Sequence, residues 1–444
     1  MNYSSRKINY MNLKNSIASY MCLMTLLFGI SSCKKDYTDP SRATEDKVFS
    51  SAKGLTGVAT GLQRVYSLGR GSSLYNLVSI NGLSTNELFL LNPGNLPEFQ
   101  LISGGSLVDG TNTMLAGLWT TSNKIVYDAD LVIANAGNLP DKGYASGLIG
   151  YATIFKALSI GNMSMFWTDV PVGTGANVSF SNRTAGFNRA ITAIDQALAA
   201  IAANPISAAF TSSVPAGIDV VNTLQALKAR YSLYAGNYSQ ALAAANAVDL
   251  SKRSTLNADA QNPNVIFDVC TSNFNVCQPK DSTLGLPAAI APDLADKRVA
   301  FYVGLSGAAA YRWVIRGFAT GATSSYPIYL PGEITLIKAE CYARQASPDL
   351  SNALIELNKV VTKTPSSDPF GVGADLPAIS GPLTQAEVLD QIYRHRSIEL
   401  YMSGLRLEDS RRFNRPAAER KRTFFPYPFR ERDNNPNTPA DPAG

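Results

Sequence analysis

Two stretches of the chain carry apolar residues at helical spacing on both sides of a short turn. In residues 222–249 the turn is Gly236-Asn237-Tyr238, and in residues 331–363 it is Pro348-Asp349. Apolar residues every three to four positions predict amphipathic helices, so each stretch is predicted to be a pair of antiparallel helices. A pair of this size cannot bury its apolar face alone and must stack against a neighbour.

Each of these pairs resembles a tetratricopeptide hairpin. A third pair, residues 149–166 with residues 187–201, fits the same scheme with a long insertion between its helices. We therefore expect a mainly α scaffold of tetratricopeptide-like hairpins that stack into a right-handed helical layer. Further helices are expected at residues 52–68, 73–87 and 113–136, and a long loop is expected at residues 91–105.

Residues 250–329 lack this helical periodicity and are rich in Asn, Pro, Ser and Gly. Short strand-like segments occur within them at residues 264–269, 300–303 and 311–315. The interpretation is a long irregular insertion, made of loops and short strands, that is mounted on the helical scaffold. Binding residues concentrate on loops that a rigid scaffold positions, so a binding surface is expected in this insertion.

The N-terminal residues have the parts of an export signal. A basic segment precedes an apolar core at residues 17–30, and the core ends at Ile30-Ser31-Ser32-Cys33. The core of roughly 14 residues is shorter than the roughly 20 that a membrane-spanning helix requires. A cysteine after two small residues resembles a bacterial lipobox, so we expect cleavage after residue 32 and lipidation of Cys33. The alternative is an ordinary secretory signal with a chance cysteine.

This interpretation divides the chain into a signal peptide (residues 1–32), a lipidated tether (residues 33–50) and a single domain (residues 51–444). The chain has 39 Lys and Arg and 34 Asp and Glu. Three of the basic residues lie in the signal, which leaves 36 basic against 34 acidic side chains. That near balance offers no electrostatic reason to expect nucleic acid as a partner.

Cysteine and histidine are too scarce to predict a metal or cofactor site. The one histidine is His395, and the cysteines after residue 32 are Cys33, Cys270, Cys277 and Cys341. Cys270 and Cys277 lie in one irregular segment and are expected to close a disulfide in an oxidising compartment, with two free thiols as the alternative. Cys341 lies on a helical apolar stripe and is interpreted as a packing residue. We expect no metal and no cofactor.

Three segments resemble the SusD/RagB-like surface lipoproteins of Gram-negative bacteria. Leu118-Trp119 followed by residues 127–135 resembles the W…Y…I…AN helix of the family, and residues 166–171 resemble the helix that ends in (F/Y)GDVP. The family pattern ER…EL…EG.R..DL.R is matched by Arg396, Glu399, Gly404, Arg406, Asp409 and Arg412. His395 and Ser403 replace the usual glutamates of that pattern, which changes the details of one ion-pair network.

The resemblance implies a SusD-like fold and a lipoprotein that is anchored on the outer face of the outer membrane. Members of the family capture nutrients without transforming them, so the implied function is oligosaccharide binding at the cell surface, with no enzymatic activity. The implied partner is a TonB-dependent, SusC-like barrel transporter, to which the oligosaccharide is delivered. A surface glycoside hydrolase and a peptide-binding or adhesive repeat lipoprotein remain as alternatives.

Neutral sugars are held by flat rings that contact their C–H faces and by polar groups that bind their hydroxyls. The candidate ligand-binding residues are therefore aromatic and polar residues of irregular segments: Tyr302, Tyr311, Arg312 and Trp313 in the insertion, and Asn86, Glu87 and Phe99 near the 91–105 loop. In the family, ligand contacts commonly come from these two regions. Trp119 and Trp167 are interpreted as structural, since both lie in helices that match the family pattern.

No set of residues predicts an enzyme. Glu333 and Glu340 lie on one predicted helix and Glu87 precedes the loop, but no carboxylate pair of a glycosidase stands out. GxSxG, HExxH and phosphate-binding glycine motifs are absent. The charges of residues 394–412 are expected to lock the terminal helix onto its neighbours, with Arg396 and Glu399 paired on its surface. His395 is interpreted as a packed or solvated residue.

Overall fold

The computed structural model describes residues 48–272, 275–307 and 312–444. Residues Phe49–Gly444 form one compact unit. The expected signal peptide, Cys33 and nearly all of the tether lie outside the described residues, as does Tyr311. Within the described ranges, no helix combines the length and the apolarity needed to cross a lipid bilayer.

Most of the regular structure is helical. The helices are α1 (Ala52–Ser67), α2 (Ser73–Ser84), α3 (Leu96–Ser103), α4 (Thr113–Ala136), α5 (Lys142–Phe166), α6 (Arg183–Ala203), α7 (Ala208–Thr211), α8 (Val220–Tyr234), α9 (Tyr238–Asn246), α10 (Lys297–Tyr302), α11 (Pro331–Arg344), α12 (Leu350–Val361), α13 (Gln385–Glu399), α14 (Arg406–Arg412) and α15 (Phe429–Asn434). The strands are short: β1 (Leu88–Leu90), β2 (Asp169–Pro171), β3 (Phe180–Asn182), β4 (Thr255–Leu256), β5 (Cys277–Pro279), β6 (Val303–Leu305), β7 (Trp313–Ile315) and β8 (Tyr326–Pro327).

Side-chain caps set where the scaffold helices begin. The Asn112 side-chain oxygen accepts hydrogen bonds from the backbone N–H groups of Met114 and Leu115, and α4 starts there. Asp219, Asn237 and Asp349 cap α8, α9 and α12 in the same manner. Each cap satisfies N–H groups that have no partner within the helix and contributes about 1 kcal/mol.

Contacts between successive helices show how the scaffold is built. α5 packs against α6, α8 against α9, and α11 against α12. α6 also packs against α8, and α9 packs against α11, so the three hairpins form one continuous stack. α1 and α4 precede this stack, and α13 joins α11 and α12 through a second apolar cluster. The prediction of a mainly α scaffold of stacked helical hairpins is confirmed.

The irregular insertion is held together by antiparallel strand pairs, β4 with β8 and β6 with β7, while its β5 pairs with β1 outside it. The expected strand at residues 264–269 is wrong, because a single π-helical turn covers Phe267–Thr271. The Asn264 side chain accepts from the N–H groups of Ile266 and Phe267 and thereby starts that turn. Residues 300–302 belong to α10, whereas Trp313–Ile315 form β7 as expected.

Two expectations in the N-terminal half need correction. The predicted loop at residues 91–105 contains helix α3, which has a proline in its first turn and is followed by Gly104, whose φ of 74° favours glycine. The segment 73–87 is helical only as far as Ser84, and α2 is buried on all sides rather than amphipathic. A helix surrounded by other elements has no polar face to reveal its period.

Candidate functional site

Short strand pairs place the insertion against the segment that follows α2. β1 pairs antiparallel with β5, and Leu88 lies opposite Pro279. A backbone hydrogen bond from the Leu91 N–H to the Val276 oxygen, 2.9 Å long, extends the pairing. β5 in turn contacts β7. The two regions with predicted ligand contacts are therefore adjacent in the structure.

A disulfide and three asparagines hold the edge of this junction. Cys270 and Cys277 are joined, with their Cα atoms 5.2 Å apart, and the loop they close carries Asn275. The Asn92 side-chain amide donates to the Asn275 side-chain oxygen at 2.9 Å, and the Asn95 amide donates to the Asn275 backbone oxygen at 2.9 Å. Of the two alternatives for these cysteines, the structure contains the disulfide.

Large apolar side chains are exposed around the junction. Leu88 and Leu90 are buried, whereas Phe89 between them is 48% exposed, because successive residues of a strand face opposite sides. On α3, Leu96 and Phe99 are exposed as well. Scattered exposed apolar residues are ordinary, but several on neighbouring elements are typical of an interaction surface.

The β6–β7 hairpin places an indole ring beside this junction, since β7 contacts β5. Leu305 lies directly opposite Trp313, so their side chains share one face of the hairpin. Leu305 is 53% exposed, and Trp313 is half-buried against the apolar core. The backbone oxygen of Arg312 accepts a hydrogen bond from the Ser306 N–H at 2.7 Å, which continues the pairing toward the tip.

Helix α10, which leads into β6, is attached to α13 by a buried charged cluster. Arg298 is fully buried and donates to Asp296 at 2.7 and 3.0 Å and to Glu399 at 3.1 Å. Glu399 also accepts from Lys363 at 2.6 Å. The Nδ1 atom of His395 lies 2.9 Å from the guanidinium of Arg298. Burial holds the pKa of His395 well below its usual value, so the ring is neutral and its Nδ1 accepts from Arg298.

No family model and no curated protein matches the chain. Among solved structures, a SusD superfamily protein from Bacteroides vulgatus ATCC 8482 is 14% identical and covers 88% of this chain and 99% of its own, with a TM-score of 0.68. A SusD-like carbohydrate binding protein from Bacteroides fragilis NCTC 9343 is 15% identical and covers 83% and 87%, with a TM-score of 0.65. B. fragilis NanU is 13% identical and covers 91% and 99%, with a TM-score of 0.61. The chain has the SusD-like fold.

The SusD-like fold confirms the resemblance that the sequence motifs indicate, and it shows what the motif tryptophans do. Trp119 and Trp167 pack edge to face with ring centroids 4.8 Å apart, and both are buried. The Trp167 Nε1 donates to the Pro426 backbone oxygen at 2.9 Å, and the Trp119 Nε1 donates to Glu431 at 3.0 Å. Both rings tie the C-terminal segment to the helices, so the structural interpretation is confirmed.

The third motif of the SusD-like fold forms buried ion pairs. Arg396 donates to both oxygens of Asp409 at 3.0 and 3.1 Å, and Arg412 donates to Glu340 at 2.7 and 2.8 Å. The expected surface pair of Arg396 with Glu399 is wrong, because both side chains are fully buried and bind different partners. The expectation that these charges lock the terminal helices onto their neighbours is confirmed.

Two predicted ligand contacts are buried and have structural partners instead. Glu87 accepts from the Asn81 amide at 2.7 Å and lies 3.3 Å from Arg406, and burial raises the pKa of its carboxyl. Tyr302 donates from its hydroxyl to the backbone oxygen of Glu399. Neither side chain reaches the surface, so neither is available to a ligand on it.

The other predicted residues differ in accessibility. Phe99 is exposed, Arg312 and Trp313 are half-buried on the hairpin, and Asn86 is half-buried at a turn with a φ of 64°. Tyr311 lies outside the described residues. Sequence reasoning missed Phe89, since the run of four apolar residues at 88–91 is typical of a strand buried on both faces. Only the pairing of β1 with β5 decides that Phe89 points outward.

A cleft of about 530 Å³ lies between α1 and the insertion and was not expected from the sequence. Two of its amides are engaged by the protein: Asn257 donates to the Ala216 oxygen at 2.7 Å, and Asn264 donates to two backbone oxygens at 2.8 Å. The side-chain oxygen of Asn262, which also lines the cleft, has no hydrogen-bond partner among the described residues. The aromatic residue of the cleft, Tyr326, is buried. The exposed rings of Phe89 on β1 and Phe99 on α3 are better suited to stack on a sugar than this buried ring. In the part of the chain that the structure describes, no group of His, Cys, Asp and Glu is placed to hold a metal ion.

Proposed function

We propose that the chain is a cell-surface binding protein that captures an oligosaccharide and leaves its bonds intact. The observation that carries the proposal is the pair of exposed rings, Phe89 on β1 and Phe99 on α3, with the half-buried Trp313 on the neighbouring β7, held on a base of strand pairs, a disulfide and buried ion pairs. Support also comes from the SusD-like fold, since one solved structure with that fold is described as a SusD-like carbohydrate binding protein.

The surface offers both kinds of contact that a sugar needs. Phe89, Phe99 and Trp313 supply apolar rings for the C–H faces of pyranose units. Asn92 accepts a hydrogen bond from the Gly94 N–H at 2.9 Å, and an amide oxygen has a second lone pair for a sugar hydroxyl. Because the rings lie on strands and a short helix, little conformational entropy is lost when a ligand binds them.

Removal of the rings is expected to weaken binding without unfolding the protein. Phe89→Ala and Trp313→Ala are each expected to lower the affinity for an oligosaccharide found on a glycan array by about tenfold, roughly 1.4 kcal/mol, since each removes a stacking surface. The measurement is calorimetric titration of the full-length protein in mild detergent.

Ile355→Ala is the matched control, because Ile355 is 52% exposed on α12, compared with 48% for Phe89. It is expected to bind as tightly as the wild type. Unchanged affinity in the Phe89→Ala and Trp313→Ala double variant, with normal binding by the wild type, would contradict the assignment of this surface.

The partner and the location follow from the same proposal. Residues 1–32 act as the signal peptide, Cys33 carries the lipid, and residues 33–50 tether the domain of residues 51–444 to the outer face of the outer membrane. Two acyl chains are sufficient for stable anchoring. The domain covers the mouth of a TonB-dependent, SusC-like barrel, and the tether permits it to open and release its ligand into the barrel.

Affinity purification of the native protein from detergent-solubilised membranes is expected to recover a barrel transporter. A Cys33→Ser variant is the control, and it is expected to be released from the membrane fraction. Purification of the wild type without any barrel protein would overturn the delivery part of the proposal and leave ligand binding unaffected.

The proposal of binding rather than hydrolysis is supported by the state of the candidate carboxylates. Glu333 accepts from Arg230 at 2.6 and 2.7 Å, and Glu340 accepts from Arg412 at 2.7 and 2.8 Å, and both carboxylates are buried. A glycosidase needs two carboxyl groups that face a sugar across a cleft. The appearance of new reducing ends when the purified protein is incubated with glycans would favour the hydrolase instead.

A further inference from the structure

A second cavity, of about 310 Å³, lies beside α4, the helix that contains Trp119. Thr120, Asn123 and Tyr127 contribute to its lining from α4, where three- and four-residue spacing places them on one face of the helix. The remaining lining comes from Trp119 on the same helix, from five residues between 171 and 178, and from Glu431 on α15. None of these residues belongs to the surface formed by β1, α3 and β7.

The cavity has a rigid base. Trp119 stacks on Phe180 with ring centroids 6.1 Å apart, and it meets Trp167 and Tyr427 edge to face. The hydrogen bond from the Trp119 Nε1 to Glu431 fixes the position of that carboxylate. A site built on interlocked rings is held in shape before any ligand arrives.

The C-terminal segment holds the loop that forms one wall. The Asn435 amide donates to the Val178 backbone oxygen at 3.0 Å, and the Asn437 amide donates to the Asn177 backbone oxygen at 2.7 Å. Asn435 also donates to Glu431 at 2.9 Å. These contacts join the loop, the carboxylate and the end of the chain into one support for the cavity.

Tyr127 supplies a solvent-exposed aromatic ring at this cavity. Its side chain is 49% exposed, whereas Tyr326 and Phe210, which border cavities of about 530 and 660 Å³, are buried. Among the described residues, the Tyr127 hydroxyl has no hydrogen-bond partner. The Asn123 amide nitrogen donates to the Trp119 backbone oxygen at 3.0 Å, which leaves the Asn123 side-chain oxygen as an acceptor.

The polar groups of this cavity favour an uncharged ligand that carries hydroxyl donors. Each oxygen of Glu431 accepts one hydrogen bond from the protein and retains a lone pair for a ligand hydroxyl. Of the described residues that line the cavity, none is Lys or Arg, and the guanidinium of Arg189 behind its wall donates to the backbone oxygen of Pro171. A buried or half-buried carboxylate repels an anionic ligand and binds hydroxyl donors.

We propose that the cavity formed by Tyr127, Asn123, Thr120 and Glu431 is a second sugar site, which holds a single neutral hexopyranose unit and excludes acidic sugars. The proposal rests on the proposed oligosaccharide-binding function and deepens it. Tyr127 stacks on one face of the sugar, while Glu431 and Asn123 accept hydrogen bonds from its hydroxyls. The site holds a second part of a branched or long glycan.

Tryptophan fluorescence tests this proposal, because the chain has three tryptophans and Trp119 borders the cavity. The full-length Trp313→Phe protein, which lacks the tryptophan of the other surface, is titrated with methyl glucoside, methyl galactoside and methyl mannoside, and separately with methyl glucuronide. We expect at least one neutral glycoside to change the emission, and the glucuronide to bind about tenfold more weakly or not at all.

In the same background, Tyr127→Ala is expected to weaken binding of that neutral glycoside about tenfold, and Tyr127→Phe, which keeps the ring, only about twofold. Phe429→Ala is the matched control, because Phe429 is 58% exposed on α15 and does not line the cavity. It is expected to titrate like its parent.

The outcomes separate this site from the proposed function. A protein that binds oligosaccharide but gives no response to any neutral glycoside, or in which Tyr127→Ala changes nothing, overturns the second site alone. Equal binding of the glucuronide also overturns it. A protein that binds neither oligosaccharide nor glycoside overturns both proposals.

Discussion

Replacement of Arg298 by Ala is expected to lower the free energy of unfolding by about 3–5 kcal/mol. The guanidinium is fully buried and binds Asp296, Glu399 and His395. Its removal leaves three buried carboxylates, those of Asp296, Glu399 and Asp368, with one cation, Lys363, in place of two. An uncompensated buried charge costs several kcal/mol because water cannot reach it.

The measurement is guanidinium chloride unfolding of the full-length protein, followed by circular dichroism. Lys124→Ala is the control, since Lys124 pairs with Asp128 at 2.6 Å but is 57% exposed. An exposed pair contributes about 0–1 kcal/mol, so this variant is expected to unfold close to the wild-type midpoint. A loss below about 1 kcal/mol in Arg298→Ala would show that the cluster does not hold the insertion to α13.

The Arg298 cluster also matters for the proposed binding surface. α10 ends at Tyr302, whose hydroxyl donates to the Glu399 backbone oxygen, and β6 begins at the next residue. The hairpin that carries Trp313 is therefore fixed through the same residues that hold the insertion. Its position depends on contacts between parts of the chain about a hundred residues apart.

Replacement of Gly161 by Ala is expected to destabilise the stack of hairpins by about 1–3 kcal/mol. A Cβ atom at this position in α5 falls closer than 3.0 Å to the ring of Tyr231 in α8. Tyr231 is fully buried and stacks on Phe187 with ring centroids 5.9 Å apart, so the ring has no space into which to move. The helices must separate to admit a single methyl group.

Gly57→Ala provides the matched control, because Gly57 also lies within a helix, α1, and nothing is within 4 Å of an added Cβ atom there. The same chemical change is expected to stabilise the protein by up to about 1 kcal/mol, since alanine is the better helix former. Thermal unfolding of both variants measures the two effects. A rise in the midpoint of Gly161→Ala would contradict the close crossing of α5 and α8.

Much of the scaffold could be predicted from the sequence because helical periodicity is a local property. The helix expected at residues 113–136 has those bounds in the structure, and the hairpins lie where apolar stripes flank a turn. Short elements were predicted less well. At residues 264–269 a side-chain cap by Asn264 produces a helical turn among residues with strand-like composition.

The candidate sites were predicted only in part. Trp313 and Phe99 stand out in the sequence as aromatic residues of irregular segments, and the structure places Phe99 at the surface and Trp313 half-buried. Their role in ligand binding stays a prediction. Glu87 and Tyr302 were chosen by the same criterion, as polar and aromatic residues near irregular segments, but they are buried. Sequence composition does not distinguish a buried residue of this kind from an exposed one. The partners that decide their burial, Arg406 and Glu399, lie more than ninety residues away.

The sequence by itself determined the class of the fold, since repeated apolar stripes must be covered by other stripes wherever the chain places them. The tertiary structure alone decided which polar groups meet. Arg396 pairs with Asp409 rather than with its helical neighbour Glu399, and the cavity beside Tyr127 combines α4, a distant loop and the C-terminal α15. Periodicity reports that a face is buried, whereas the identity of its partner depends on contacts that are long-range in the chain.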